Sequence, residues 1–234
     1  MDDCEPYWLY GLHTVRAALD NPNRTVHRLL ATRNAAARLD RPGHTPELVD
    51  VRMLSKLLGD AVHQGVAAYT DPLDHKTLET LRHGRAILCL DQITDPHNVG
   101  AVLRSAAAFN VAGVVTTRRN TAAETGVLAK AASGALDLVP IVPVTNMSRA
   151  VGELQALGFA TAALDSAAEA PLEALPPADK FALILGAEGK GVRQGVRAKA
   201  GMTARIEAPG ALASLNVSNA AAIALYVLNR TLLA

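Results

Sequence analysis

Three turns in the second half of the chain gather polar side chains where an apolar run gives way to a helix. They are Asp91-Gln-Ile-Thr-Asp-Pro-His-Asn-Val-Gly-Ala-Val-Leu-Arg104, Leu185-Gly-Ala-Glu-Gly-Lys-Gly-Val-Arg193 and Ala211-Leu-Ala-Ser-Leu-Asn-Val-Ser-Asn219. In the first, Asp95-Pro96 turns the chain and Asn98 opens a helix. Arg104 follows less than two turns up that otherwise apolar helix. Asn98 alone reads more readily as a helix cap than as a ligand contact. In the second, Gly186, Gly189 and Gly191 permit positive φ and a close approach of backbone to a ligand. By itself such a loop reads as a tight turn. It lacks the spacing of a Walker loop, and no G-x-G-x-x-G opens a helix. In the third, Ser214, Asn216, Ser218 and Asn219 crowd into one strand-to-helix turn. One of them suffices as a cap, which leaves the others to face a ligand at that helix end.

Amides, hydroxyls, a carboxylate and a guanidinium form a set for holding and orienting a ligand. No G-x-S-x-G or H-E-x-x-H is present, and His97 is the only histidine beyond Gly84. Cys4 and Cys89 are far apart and make no metal pattern. No metal centre and no histidine-driven hydrolase is expected.

The elements that must position these turns alternate in type. From Arg85 onward, strands are expected at Ala86–Leu90, Gly113–Thr116, Leu138–Val142, Phe159–Ala163, Phe181–Leu185 and Thr203–Ile206. Helices are expected at Val99–Phe109, Glu124–Ala132, Met147–Leu157, Gly195–Ala200 and Ala220–Leu233. This alternation predicts an α/β domain with a mostly parallel sheet and helices on both faces. Ligands of such sheets bind beyond the carboxyl ends of the strands, where the three turns converge. Residues 1–75 predict a smaller α/β domain: helices at 11–20, 34–39 and 53–58, strands at 26–31, 48–51 and 65–69. Residues 76–84 read as a linker and 85–234 as the second domain.

Half of the 234 residues are hydrophobic, which supplies a sizeable core, whereas aromatics are only 3%, so the core is aliphatic. A net charge of +1 excludes a protein that coats a polyanion in bulk. The charge is unevenly placed, because Arg16, Arg24, Arg28, Arg33, Arg38 and Arg41 face only Asp20 and Asp40 in that stretch. An arginine surface of this kind suits phosphate backbone, and equally a solvated helix face. No signal peptide and no membrane-length apolar run is visible, so a soluble cytoplasmic protein is expected.

Together, Asn98-x-Gly100-x-x-x-Arg104, Leu185-Gly-Ala-Glu-Gly and Ser214-Leu-Asn-Val-Ser218 resemble the three ordered motifs of the SPOUT methyltransferases, within them the TrmH/RlmB branch. The resemblance covers the second domain nearly end to end. It implies S-adenosylmethionine-dependent methylation of a ribose 2′-hydroxyl in RNA without a metal, a C-terminal trefoil knot that binds the donor, and a homodimer with its site at the interface. It implies Asn98, Arg104, Glu188, Ser214 and Asn216 as the catalytic set, and Gly186, Ile206, Leu215 and Asn216 as the donor contacts. Residues 1–75, with Tyr10-Gly-Leu-His13 and His63-Gln-Gly65, are similar to the ribosomal-protein-like RNA-binding domain of the rRNA-modifying members. This implies a 23S rRNA guanosine as target, with Arg16, Arg24, Arg28 and Arg33 gripping the RNA. A tRNA guanosine methylase and an adenosine-specific resistance methylase of rRNA are the alternatives. The run Ile206-Glu-Ala-Pro209 departs from the usual proline after the isoleucine, and Asn219 stands where a small apolar residue is common.

Overall fold

The computed structural model of the chain describes residues 5–41, 43–118, 124–210 and 215–232. Its elements run β1 (Tyr7–Tyr10), α1 (Leu12–Asp20), β2 (Val26–Ala31), α2 (Arg33–Leu39), β3 (Glu47–Leu48), α3 (Val51–Leu58) and β4 (Val66–Thr70). There follow β5 (Ala86–Asp91), α4 (Pro96–Ala108), β6 (Gly113–Thr117), α5 (Gly126–Ala132), β7 (Ile141–Val144), α6 (Met147–Ala156), β8 (Ala160–Leu164), β9 (Phe181–Gly186), α7 (Gln194–Arg197), β10 (Met202–Ala204) and α8 (Val217–Val227). The chain forms two compact units. One is Met1–Asp74 with Ala123–Leu138, and the other is His75–Ala122 with Val139–Ala234.

In the first unit, the strand order is β1-β4-β2-β3, with only the β2–β3 pair parallel. Strand β1 was not anticipated from sequence. Leu12, Val15, Ala18 and Leu19 recur at helical spacing and bury one face of α1. Asp50 caps α3 by accepting from the Met53 amide at 2.7 Å, and Leu54 of that helix packs with Leu30 and Ala67. The pairing of residues 124–138 with this unit differs from the expected division, which placed them with the second domain. Hydrophobic period says that α5 has a buried face; it does not say which sheet covers it. Here Thr14 Oγ1 of α1 donates to the Ala129 carbonyl at 3.2 Å. A Cβ on Gly126 would lie 2.4 Å from the Trp8 carbonyl oxygen, so only glycine permits this approach.

Arg24 secures the same segment. Its side chain has no exposure, and its Nε donates to Asp137 Oδ1 at 2.9 Å while NH1 reaches Glu124 Oε1 at 2.7 Å. NH1 also reaches the Asp71 carbonyl at 2.9 Å, and the Tyr7 hydroxyl donates to Glu124 at 2.6 Å. Burial opposes the charge on Arg24, but the Asp137 hydrogen bond and charge outweigh it and hold the guanidinium firmly protonated. Burial, then the Glu124 charge, push the Tyr7 phenol well above its ordinary range.

In the second unit, six strands lie in the order β10-β8-β9-β5-β6-β7, and every pairing is parallel. All residues of β5 are buried, as a strand covered on both faces requires. Ile87, Cys89, Val115, Ala163, Ala182 and Ile184 meet Met147, Val151 and Leu154 of α6 in the main core. Leu78 and Leu81 join that core, so the stretch expected as a linker belongs in part to the unit itself. Helix α4 packs against α8. No helix among the described residues is long and apolar enough to cross a membrane.

Candidate active site

The site lies in the second unit beyond the carboxyl ends of β5, β8 and β9. Asp95, at the end of the turn after β5, caps α4 by accepting from the His97 amide at 3.2 Å and the Asn98 amide at 3.3 Å. Pro96 takes the first helical turn, where its missing N–H costs nothing. Because Asp95 is the cap, the Asn98 side chain is released. Its Nδ2 reaches Glu188 Oε1 at 3.4 Å, and its Oδ1 accepts from Asn216 Nδ2 at 3.0 Å.

Glu188 sits on the loop after β9. That loop doubles back, with the Gly191 amide donating to the Ala187 carbonyl at 2.8 Å and positive φ at Gly189 and Gly191. A Cβ on Gly186 would fall 1.9 Å from the Gly191 carbonyl carbon, so the return strand of the loop closes directly over it. The loop is anchored by Asp91, the last residue of β5. Asp91 is fully buried and accepts from the Arg193 amide at 3.0 Å and from Arg193 NH2 at 2.6 Å. The Asp91 hydrogen bond, against a smaller cost of burial, raises the Arg193 guanidinium above its ordinary value.

Asn216 completes the cluster. Its Nδ2 donates to Glu188 Oε1 at 2.6 Å, while its Oδ1 caps α8 by accepting from the Ser218 amide at 2.9 Å. One asparagine therefore both caps the helix and faces the site, where the sequence suggested separate residues for the two jobs. Ser218 also donates its hydroxyl to Asn216 Oδ1 at 2.6 Å, fixing the amide's orientation. The Val217 amide adds a further donor to Glu188 at 3.4 Å.

Beside this cluster lies a cavity of about 260 Å³. Leu164, Leu185, Ile206, Leu215, Val217 and Ala220 make its apolar wall, and Gly186, Gly189 and Gly191 bring backbone to its edge. That size is close to the lower end of the ~300–1,000 Å³ typical of small-molecule sites. An apolar slot edged by backbone groups and a few polar side chains suits a small organic ligand.

The structure thus brings together Asn98, Glu188 and Asn216, and places Gly186, Ile206 and Leu215 on the lining of one cavity. Arg104 is exposed on α4 and has no hydrogen bond or ion pair among the described residues. Ser214 lies outside the described residues. Asp91, Asp165, Ser166 and Arg193 were not singled out from sequence. Asp91 and Arg193 did stand at the borders of the two quoted turns, which was the available signal.

The arginines expected to grip RNA separate into different situations in the first unit. Arg24 is buried, and its side chain is tied to Glu124 and Asp137. Arg16 donates to the Arg38 carbonyl, and Arg28 is half-exposed and pairs with Glu47 at 2.7 Å. Arg33 is exposed and has no hydrogen bond or ion pair among the described residues. No group of three or more metal-ligating side chains occurs among the described residues.

A parallel α/β sheet with this asparagine–glutamate–asparagine junction beside a glycine-edged cavity defines a ligand-binding α/β domain whose site lies at the strand ends. Residues 85–226 match the SpoU rRNA Methylase family, and residues 8–76 match the family described as RNA 2′-O ribose methyltransferase substrate binding. The chain belongs to the SpoU rRNA methylase family. It is 35% identical to the 23S rRNA (guanosine-2′-O-)-methyltransferase RlmB of Xylella fastidiosa (strain 9a5c), over 96% of this chain and 97% of that one. It is 34% identical to the enzyme of the same name from Pasteurella multocida (strain Pm70), over 97% and 98% of the two chains. Among solved structures, the SpoU methyltransferase AviRb from Streptomyces viridochromogenes, in complex with AdoMet, shares the fold. The TM-score is 0.81 at 22% identity, covering 96% of this chain and 89% of that one.

Proposed function

We propose that this chain transfers a methyl group from S-adenosylmethionine to the 2′-hydroxyl of a guanosine in 23S rRNA. The observation that carries this reading is the meeting of Asn98, Glu188 and Asn216 beside the cavity lined by Gly186, Ile206 and Leu215. Full-length similarity to relatives named for that reaction supports the substrate.

The bound donor supplies a sulfonium methyl that reacts with an oxygen nucleophile and needs no metal. The chain's own part is to hold and orient. The apolar wall and the backbone near Gly186, Ile206 and Leu215 hold the adenosyl part, and water is displaced as it fills. Glu188 fixes the amides of Asn98 and Asn216, which position the target ribose; the family resemblance assigns Ser214 to the same task. Arg104 binds the phosphate next to the target ribose and stabilises the charge developing on its oxygen. Deprotonating an arginine side chain at neutral pH would cost about 8 kcal/mol, most of a typical stability margin, so a clamp is the better role than a base. The hydroxyl proton leaves through that phosphate or water.

The first unit holds rRNA, with Arg16, Arg28 and Arg33 contributing charge; its match to a substrate-binding family supports this. The second unit carries a C-terminal trefoil knot and pairs as a homodimer with the site at the interface. The tight closure of residues 187–191 over Gly186 supports the knot, and the exposed Ile223 and Tyr226 of α8 support the pairing. The enzyme works in the cytoplasm on ribosomal RNA.

The test is methyl transfer from radiolabelled S-adenosylmethionine to purified 23S rRNA and to tRNA, followed by mass-spectrometric mapping. A single 2′-O-methylguanosine in 23S rRNA is expected. Label confined to tRNA, or found on adenosine or on a base, refutes the proposal.

A further inference from the structure

The cavity has a second polar corner that the chemistry above leaves unused. Just past the end of β8, Asp165 and Ser166 join its lining. Asp165 is held from behind. Its Oδ2 accepts from Arg197 NH1 on α7, its Oδ1 accepts from the Ala167 amide at 2.9 Å, and its own amide donates to the Ala204 carbonyl at 2.9 Å. The Asp165 side chain retains 21% exposure. Glu188, the other carboxylate on the lining, takes the Asn216, Asn98 and Val217 donors on one oxygen, Oε1, and so belongs to the asparagine junction. Asp165 carries one donor on each oxygen and keeps capacity for a ligand at this corner, because each carboxylate oxygen can accept more than once.

We infer that Asp165 accepts the ribose hydroxyls of the adenosyl group, and so positions the methyl donor in the cavity. The inference rests on reading the cavity as the donor site. Two observations select the ribose over the donor's ammonium group. Arg197 already neutralises Asp165, so the pair offers acceptors without net charge, which suits a neutral diol better than a cation. The Asn98–Glu188–Asn216 junction also marks the end where methyl transfer occurs, which leaves the adenosyl part toward β8. The Ala167 hydrogen bond, then Arg197, hold the Asp165 carboxyl below its ordinary range, so it acts as an acceptor throughout the working pH range.

Calorimetry with S-adenosylhomocysteine, 5′-methylthioadenosine, and the 2′-deoxy and 3′-deoxy forms of the latter tests this. The wild-type protein is expected to bind the deoxy forms about tenfold more weakly, the scale of one hydrogen bond to a charged group. Asp165→Ala is expected to weaken S-adenosylhomocysteine and 5′-methylthioadenosine by the same factor and to abolish discrimination against the deoxy forms. Weakening of S-adenosylhomocysteine alone would assign Asp165 to the ammonium group and overturn the inference. So would a wild-type protein indifferent to the missing hydroxyls, a result that needs no variant to fold. A wild-type protein that binds neither full-hydroxyl ligand would instead overturn the donor-site reading itself.

Discussion

Asn98 and Asn216, 118 residues apart in the chain, share a hydrogen bond of 3.0 Å, and both amides lean on one oxygen of Glu188. The junction joins the turn after β5, the loop after β9 and the start of α8. Glu188→Ala removes the common acceptor and leaves the Asn216 amide and the Val217 N–H without it. A drop in stability of about 1–2 kcal/mol is expected, at the low end because Glu188 is exposed. The rate should fall at least tenfold. Glu188→Gln, which keeps one carbonyl oxygen, should retain more of both. Urea unfolding and single-turnover methylation check the two effects.

Gly186→Ala acts on the neighbouring loop. The added carbon would meet backbone at 1.9 Å and 2.1 Å, and backbone cannot swing aside as a long side chain can. The loop carrying Glu188 must move outward. Affinity for S-adenosylmethionine, measured by calorimetry, is expected to fall at least tenfold.

Two arginines of the first unit should respond in opposite ways. Arg24→Ala strands Asp137 and Glu124 beside an empty, buried space and is expected to cost roughly 3–5 kcal/mol in urea unfolding. Arg33→Ala should leave stability within about 0.5 kcal/mol. It should weaken rRNA binding and reduce the slope of log affinity against log salt by about one.

Arg104→Lys separates a phosphate clamp from a base. Lysine can lose a proton far more readily but cannot form a bidentate fork. With Arg104 as the clamp, the variant should bind S-adenosylmethionine normally and lose most of its methylation rate. Near-full activity would refute the clamp.

Cys89 links pH to stability. Burial, then the charge of Asp91, push its thiol from 9.0 up to about 12. Between those values the folded chain keeps a proton that the unfolded chain releases. The thiol's contribution to stability is therefore intact below pH 9 and declines as pH rises from 9 toward 12. Denaturant unfolding of wild type and Cys89→Ala across that window should show a shallower decline in the variant.

The chemistry of the site was more legible in the sequence than its mechanical support. Asn98 and Asn216 stood out because polar residues at strand-end turns of a parallel sheet have one direction in which to converge, whereas Glu188 was named only through the family resemblance. Asp91 looked like the polar residue that ends β5, because nothing local reveals an arginine partner 102 residues away. Arg24 was read with its neighbours as RNA-facing, since burial depends on Asp137 and Glu124 arriving from a distant segment. Asp165 is likewise one more acidic residue after a strand until it is seen to line the same cavity as Ile206 and Leu215.

That distant segment bears on how such a protein can be taken apart or reassembled. Residues 124–138 interrupt the stretch that encodes the six-stranded sheet, yet their partners Thr14, Arg24 and Trp8 come from the first seventy-odd residues. The two units are therefore not two consecutive paragraphs of the gene. A fragment begun near residue 75 would keep α5 while losing what covers Leu128, Ala129 and Leu136. A graft of a foreign first unit would have to bring its own version of that stretch, so the substrate-binding part is inherited with a piece of the catalytic half's reading frame.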